Sequence, residues 1–140
     1  MEGHRGCSSA VLTIPAICSQ FAASTGEQLP YAAILDLAAE GHPVAGAVVE
    51  AAGQSLGLLV AAVANLTMVE LVILSGEGMD LADVAGTALQ DAIAYHRDPE
   101  ASPLRLSRRP SDFAQWARGA AAVVIQRIIL GTLHEGATPH

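Results

Sequence analysis

Asn65-Leu66-Thr67-Met68-Val69-Glu70-Leu71-Val72-Ile73-Leu74-Ser75-Gly76-Glu77-Gly78 changes character halfway along. Upstream of it Val44, Val48, Ala52, Leu56, Leu59, Val63 and Leu66 recur at three- and four-residue spacing behind Pro43, the pattern of one long helix ending near Leu66 or Met68. From Val69 to Leu74 the residues are β-branched or leucine apart from Glu70, and the run closes on Ser75-Gly76-Glu77-Gly78. That is a strand followed by a turn, expected to be buried on at least one face and, beyond Glu70, on both. Leu56 to Leu74 nearly reaches the length of a membrane span, yet it holds Asn65, Thr67 and Glu70 and its flanks lack Lys and Arg. A soluble helix and strand are expected, with no membrane partner.

Working outward, helical patterning covers Ala10 to Ala23 with Pro15 near its start or marking a break, and Tyr31 to Glu40 with Gly41 as its stop. Gly46, Gly53 and Gly57 interrupt the long helix, and small residues at that density predict another element packed very close to it. After the strand, Asp80 is placed as an N-cap and Asp83 at the third helical position of a helix running to about Tyr95. Leu104-Arg105-Leu106 is a second short strand. Ser111 caps a final helix with Phe113, Trp116, Ala117, Ala120, Val124 and Ile128 along one face. Strand, helix, strand, helix at this spacing predicts parallel strands joined by a crossover. Two parallel strands do not make a stable sheet, so strands are expected from another chain or from a larger fold.

Composition narrows the function classes. The chain has 140 residues, 51% hydrophobic, with seven Lys and Arg against fourteen Asp and Glu for a net charge of −7. An acidic chain with few cations is poorly suited to neutralising phosphates, so direct DNA binding is not expected. Two cysteines, Cys7 and Cys18, and no basic-then-apolar leader suit a reducing, cytoplasmic setting.

The run Asn65 to Gly78 resembles the segment near the C-terminal end of ROK proteins, the repressor, open-reading-frame and sugar-kinase family, where an asparagine-ending helix leads into a buried strand and a glycine-rich turn. Asp112-Phe113-Ala114-Gln115-Trp116-Ala117-Arg118-Gly119-Ala120-Ala121-Ala122 resembles the family's final helix in the form its regulators carry, and Gly3-His4-Arg5-Gly6-Cys7 the end of its zinc motif, Cys-x-Cys-Gly-x-x-Gly-Cys. The resemblance implies an α/β class: part of the C-terminal lobe of an actin-like, ribonuclease H-like ATPase fold, helices plus two parallel strands of an incomplete sheet. Residues 1–9 would be a remnant of the zinc-motif loop and 10–140 the C-terminal part of the lobe. The N-terminal lobe, the phosphate loops, the sugar motif and the DNA-binding winged helix would precede Met1, as in a shortened gene or a misplaced start.

Function follows by implication: a C-terminal portion of a sugar-responsive transcriptional regulator, not an enzyme, or alternatively the same portion of a ROK sugar kinase. Self-association is the expected partnership, with a small-molecule sugar bound only in full-length relatives. Ser75, Gly76 and Gly78 would form the family's nucleotide-side turn, but Glu77, Asp80 and Asp83 crowd it with carboxylates, which suit a helix start and repel an anion. Cys7 is the single match to the zinc ligands, and a structural zinc wants four, so no metal or other cofactor is expected. His4 and Cys18 are the other conceivable ligands, and Ser9 stands where an acidic sugar-facing residue is usual. Gly53-Gln54-Ser55-Leu56-Gly57, with Asp91 and His134 downstream, formally matches a hydrolase elbow, yet it lies on a helical stripe where the hydroxyl should bond back to its own helix. His42, His96, His134 and His140 are expected to be solvated, and Arg105, Arg108 and Arg109 to form an exposed strand end.

Overall fold

A computed structural model describes residues 8–109 and 113–134, which fall into two units divided after Arg109. In the first, α1 (Ser9–Leu12) and α2 (Ile14–Thr25) are separated at Thr13, whose extended backbone and hydroxyl, accepting from Ala16 N–H at 3.3 Å, start α2 with Pro15 in its first turn. Gly26, at φ +79°, ends α2 in the left-handed conformation that glycine adopts without strain.

The helix α3 (Tyr31–Ala39) is followed by α4 (Pro43–Thr67), which begins on His42. The His42 ring is therefore a cap rather than a solvated side chain: its Nδ1 accepts from Ala45 N–H at 3.3 Å and the ring packs tilted against Phe21. Met68, at φ +54°, stops α4 close to the expected point. The helix is long and apolar enough to cross a membrane, but its inner stripe, including Ala45, Val49, Ala52, Val60 and Ala64, is buried within the protein. Ile17, Phe21, Ile34 and Leu35 pack against the first half of that stripe, forming the larger core.

The strands β1 (Leu71–Ser75) and β2 (Arg105–Arg109) pair in parallel, as the crossover pattern requires, and make the two-stranded sheet of the described residues. Each lies slightly later in the chain than expected. The expectation of burial on both faces is corrected. Val72 and Leu74 pack with Leu104 and Leu106 onto Val60, Leu89 and Ile93, while Leu71 and Ile73 are 43% and 57% exposed. Helices cover one face of the sheet within this unit, so alternate side chains remain open.

The single helix expected from Asp80 to Tyr95 is divided into α5 (Leu81–Val84) and α6 (Gly86–His96). Ala85, at φ −94° and ψ +20°, leaves helical geometry where it passes beneath α4. Asp80 occupies the cap position in helical conformation and its side chain makes no cap hydrogen bond, which corrects its assignment as an N-cap. The second unit is α7 (Phe113–His134). Cys7, His4, Ser111 and His140 lie outside the described residues, as do the side chains of Phe113, Trp116 and His134.

Candidate functional site

The turn after β1 carries Ser75, Gly76 and Gly78, and its shape follows from its glycines. Gly76 sits at φ +136°, where an L side chain would be strained. The Gly78 carbonyl accepts from the Tyr31 hydroxyl at 3.1 Å, tying α3 to the turn. Burial raises the Tyr31 phenol above its usual value, with the Leu81 backbone N–H opposing and the charges of Asp80 and Cys18 adding to the rise. Downstream, α5 is a single turn, and Glu77, Asp80 and Asp83 surround its start. Asp83 is ion-paired with Arg108 of β2, so one of the three carboxylates is partly neutralised within the protein. Tyr31 thus holds a carbonyl of the turn, and Arg108 pairs with the helix that follows it.

A second constellation joins the ends of α4 and α6. Asn65 Nδ2 donates to the His96 carbonyl at 2.9 Å, while its Oδ1 accepts from Arg97 Nη1 at 2.9 Å and from Asp98 N–H at 3.2 Å. Arg97 Nη2 reaches the carbonyls of Val69 and Ser102, each at 3.3 Å. One asparagine and one arginine thereby lock the end of the long helix, the lead into β1 and the loop before β2. In the sequence Asn65 stands out as a polar interruption of an apolar run and as the helix-ending residue of a resemblance, not as the centre of a hydrogen-bond network. Arg97 carries no signal in the sequence, because its partners, the Asn65 side chain and the carbonyls of Val69 and Ser102, are brought together only by the fold.

Of the three α4 glycines, Gly53 and Gly57 lie against a closely packed element as expected, whereas a Cβ on Gly46 would meet nothing within 4 Å. A Cβ on Gly53 would fall 2.5 Å from Ala85 Cβ, and one on Gly57 would fall 2.6 Å from both Ala92 Cβ and the Leu89 carbonyl oxygen. Between them Ser55 donates its hydroxyl to the Ala51 carbonyl at 2.8 Å, the back-bond of a helical serine rather than an exposed nucleophile. Ser55 and Asp91 do line one open groove of about 780 Å³ beside α4 and α6, with Glu50, Gln54, Thr87 and Tyr95. The groove lies on regular helix, and none of its residues sits on the strand-to-helix turn that nucleophile chemistry requires.

Cys18 is a half-buried free thiol, and among the described residues no three His, Cys, Asp or Glu side chains cluster as a metal site would. Arg105, Arg108 and Arg109 all lie on β2, with Arg108 committed to Asp83.

The family model described as "ROK family" matches residues 2–127. Among solved structures the chain is similar to a ROK family transcriptional regulator, a homolog of the E. coli MLC protein, with a TM-score of 0.65 and 26% identity over 76% of this chain and 30% of that one. It is similar to a ROK hexokinase from Thermus thermophilus, with a TM-score of 0.60 and 18% identity over 76% of this chain and 36% of that one. A third likeness is to a ROK family glucokinase from Streptomyces griseus in complex with glucose and AMPPNP, with a TM-score of 0.62 and 18% identity over 76% and 40% of the two chains. In each case this chain spans well under half of the other's length. No curated protein matches.

Proposed function

The chain belongs to the ROK family, and from that premise we propose that it is the C-terminal portion of a sugar-responsive transcriptional regulator with no independent catalysis. Its fold is part of the actin-like lobe of ROK proteins, helices with two parallel strands. The observation that favours a regulator is identity: 26% to the regulator against 18% to each of the two kinases over the same share of this chain. The kinase reading keeps support from the fold, since the kinases superpose with TM-scores of 0.60 and 0.62 against 0.65.

The geometry of the turn agrees with a part that holds shape rather than performs chemistry. Phosphate binding at a strand–helix turn draws on free backbone N–H groups and a helix dipole, and here the helix is one turn long with carboxylates around it. Sugar recognition and DNA reading belong, in this proposal, to the family length that these 140 residues do not span. The contribution of this portion is a rigid wedge: α4 and α6 in close contact, pinned by Asn65 and Arg97, with the strand pair against them. A cytoplasmic setting without resident metal or cofactor is part of the same proposal.

The coding DNA upstream of Met1, read in frame, separates the two readings. A winged-helix segment there supports the regulator; an aspartate-based phosphate loop with no winged helix overturns it in favour of the kinase.

A further inference from the structure

Pro43 opens α4, so the residue before it must supply the cap, and that residue is a histidine. The oxygen of a serine, threonine or asparagine cap remains an acceptor at any pH near neutrality. An imidazole does not: with one proton it offers one acceptor nitrogen, and with two it offers none. His42 Nδ1 accepts from the Ala45 N–H at 3.3 Å, which requires the ring proton to sit on Nε2. Ala45 is buried in the larger core with Val49 and Ala52. Its N–H is one of the first-turn donors that no carbonyl of its own helix can reach, so the ring nitrogen is what satisfies it. The same ring packs tilted against Phe21 of α2, with centroids 6.1 Å apart, while the His42 N–H donates to the Leu37 carbonyl of α3 at 2.9 Å. One side chain thus stands where α2, α3 and α4 meet.

We propose that His42 makes the start of α4 a proton-sensitive joint: a proton taken up on Nδ1 withdraws the acceptor of the Ala45 N–H and releases the first turn of the helix. Two costs act together on the protonated ring. A donor on a buried residue is left without a partner, and a cation stands at the positive end of a 25-residue helix. The charged groups on the surrounding elements do not compensate. The helices α1 and α2 carry none, although α2 holds the Cys18 thiol, and Glu27 follows α2. Asp36 lies on α3 with Glu40 at its end, Glu50 is the first carboxylate of α4, and Asp83 of α5 is paired with Arg108. Carboxylates attract an imidazolium but cannot return an acceptor to the Ala45 N–H. Every group concerned lies in the first unit, and the inference holds whether the family relative is a regulator or a kinase.

The test is nuclear magnetic resonance of the complete 140-residue chain, titrated from about pH 8 to about pH 5, the span in which imidazoles change charge. The Ala45 amide resonance should move in step with the His42 ring. Its protection against hydrogen exchange, corrected for the intrinsic effect of pH, should fall on the order of fivefold, while the Ala64 amide near the other end of α4 keeps its protection. His42→Asn supplies a cap that does not titrate, and it should hold the Ala45 protection constant across the same span. His42→Ala should leave that amide poorly protected at both ends of the titration. An Ala45 amide that stays fixed while the ring titrates overturns the proposal, as does an equal loss of protection in His42→Asn. An equal loss at Ala64 also overturns it, because the acid response would then belong to the whole fold. Should the variants fail to fold, the parent titration with its Ala64 comparison decides alone.

Discussion

Gly53 passes Ala85 so closely that a Cβ built on the glycine would stand 2.5 Å from the alanine's Cβ and 3.1 Å from its carbonyl oxygen. One turn further along α4, a Cβ built on Gly57 would stand 2.6 Å from the Leu89 carbonyl oxygen, a backbone atom that cannot swing aside. Alanine is the better helix former by about 1 kcal/mol, yet overpacking at such a contact costs roughly 1–3 kcal/mol and forces the helices apart. Gly57→Ala is therefore expected to destabilise the chain in urea unfolding. Gly46→Ala, whose added Cβ has nothing within 4 Å, is expected to stabilise it by about 0.5–1 kcal/mol. Equal effects of the two substitutions would contradict the close packing of α4 on α6.

The Asn65–Arg97 clasp predicts coupling. Asn65→Ala removes acceptors from Arg97 and Asp98 and a donor from the His96 carbonyl; with only the Arg97 bond part-buried, a loss of about 0.5–1.5 kcal/mol is expected. Arg97→Ala should cost a similar amount. Because both act through one network, the double variant should fall short of the sum by about 0.5 kcal/mol or more in a double-mutant cycle. Simple additivity would mean that the two residues act independently.

Tyr31 supplies a pH signature. Its phenol donates to the Gly78 carbonyl, and burial raises its folded value above the unfolded one of about 10. The unfolded chain thus releases this proton first. The stability contributed is fully present below pH about 10 and is lost as pH rises from there through the folded value. Urea midpoints should fall across that alkaline window in the parent protein, and Tyr31→Phe should flatten the fall while lowering stability at neutral pH by about 1 kcal/mol. A fall of the same size in both proteins would assign it to other groups.

The Asp83–Arg108 pair should matter little. Its side chains are 61% and 50% exposed, and such pairs are worth about 0.2–1 kcal/mol with screening by salt. Asp83→Asn is expected to lower the midpoint slightly in dilute buffer and not at all in high salt, by thermal unfolding at two ionic strengths.

What the sequence made legible is the part governed by local rules. The apolar spacing of α4, the β-branched run of β1, the break at Pro15 and the glycines at 53 and 57 each carry their own signal, and each corresponds to an element or contact near the expected position. The failures come from tertiary context. Asp80 looked like a cap, but the chain enters α5 already helical, and Ala85 bends away to fit against Gly53. Pro43 marks the start of α4 in the sequence, but histidine is not among the usual capping residues, so the His42 ring as acceptor for Ala45 N–H is seen only in the structure. Strand burial was overestimated because hydrophobicity shows a strand's preference for cover and cannot show how much cover the chain itself provides. Of the candidate turn, its glycine conformation was readable, whereas the Tyr31 tie and the Arg108 pair arise from residues 47 and 25 positions away.

On the proposed reading, this portion of a ROK protein gives shape and carries no chemistry of its own. This is tested most directly by incubating the purified 140-residue chain with labelled ATP and a panel of hexoses and measuring sugar phosphate. No product above the protein-free blank is expected. Turnover above that blank, abolished by a substitution in the Ser75–Gly78 turn, would contradict it.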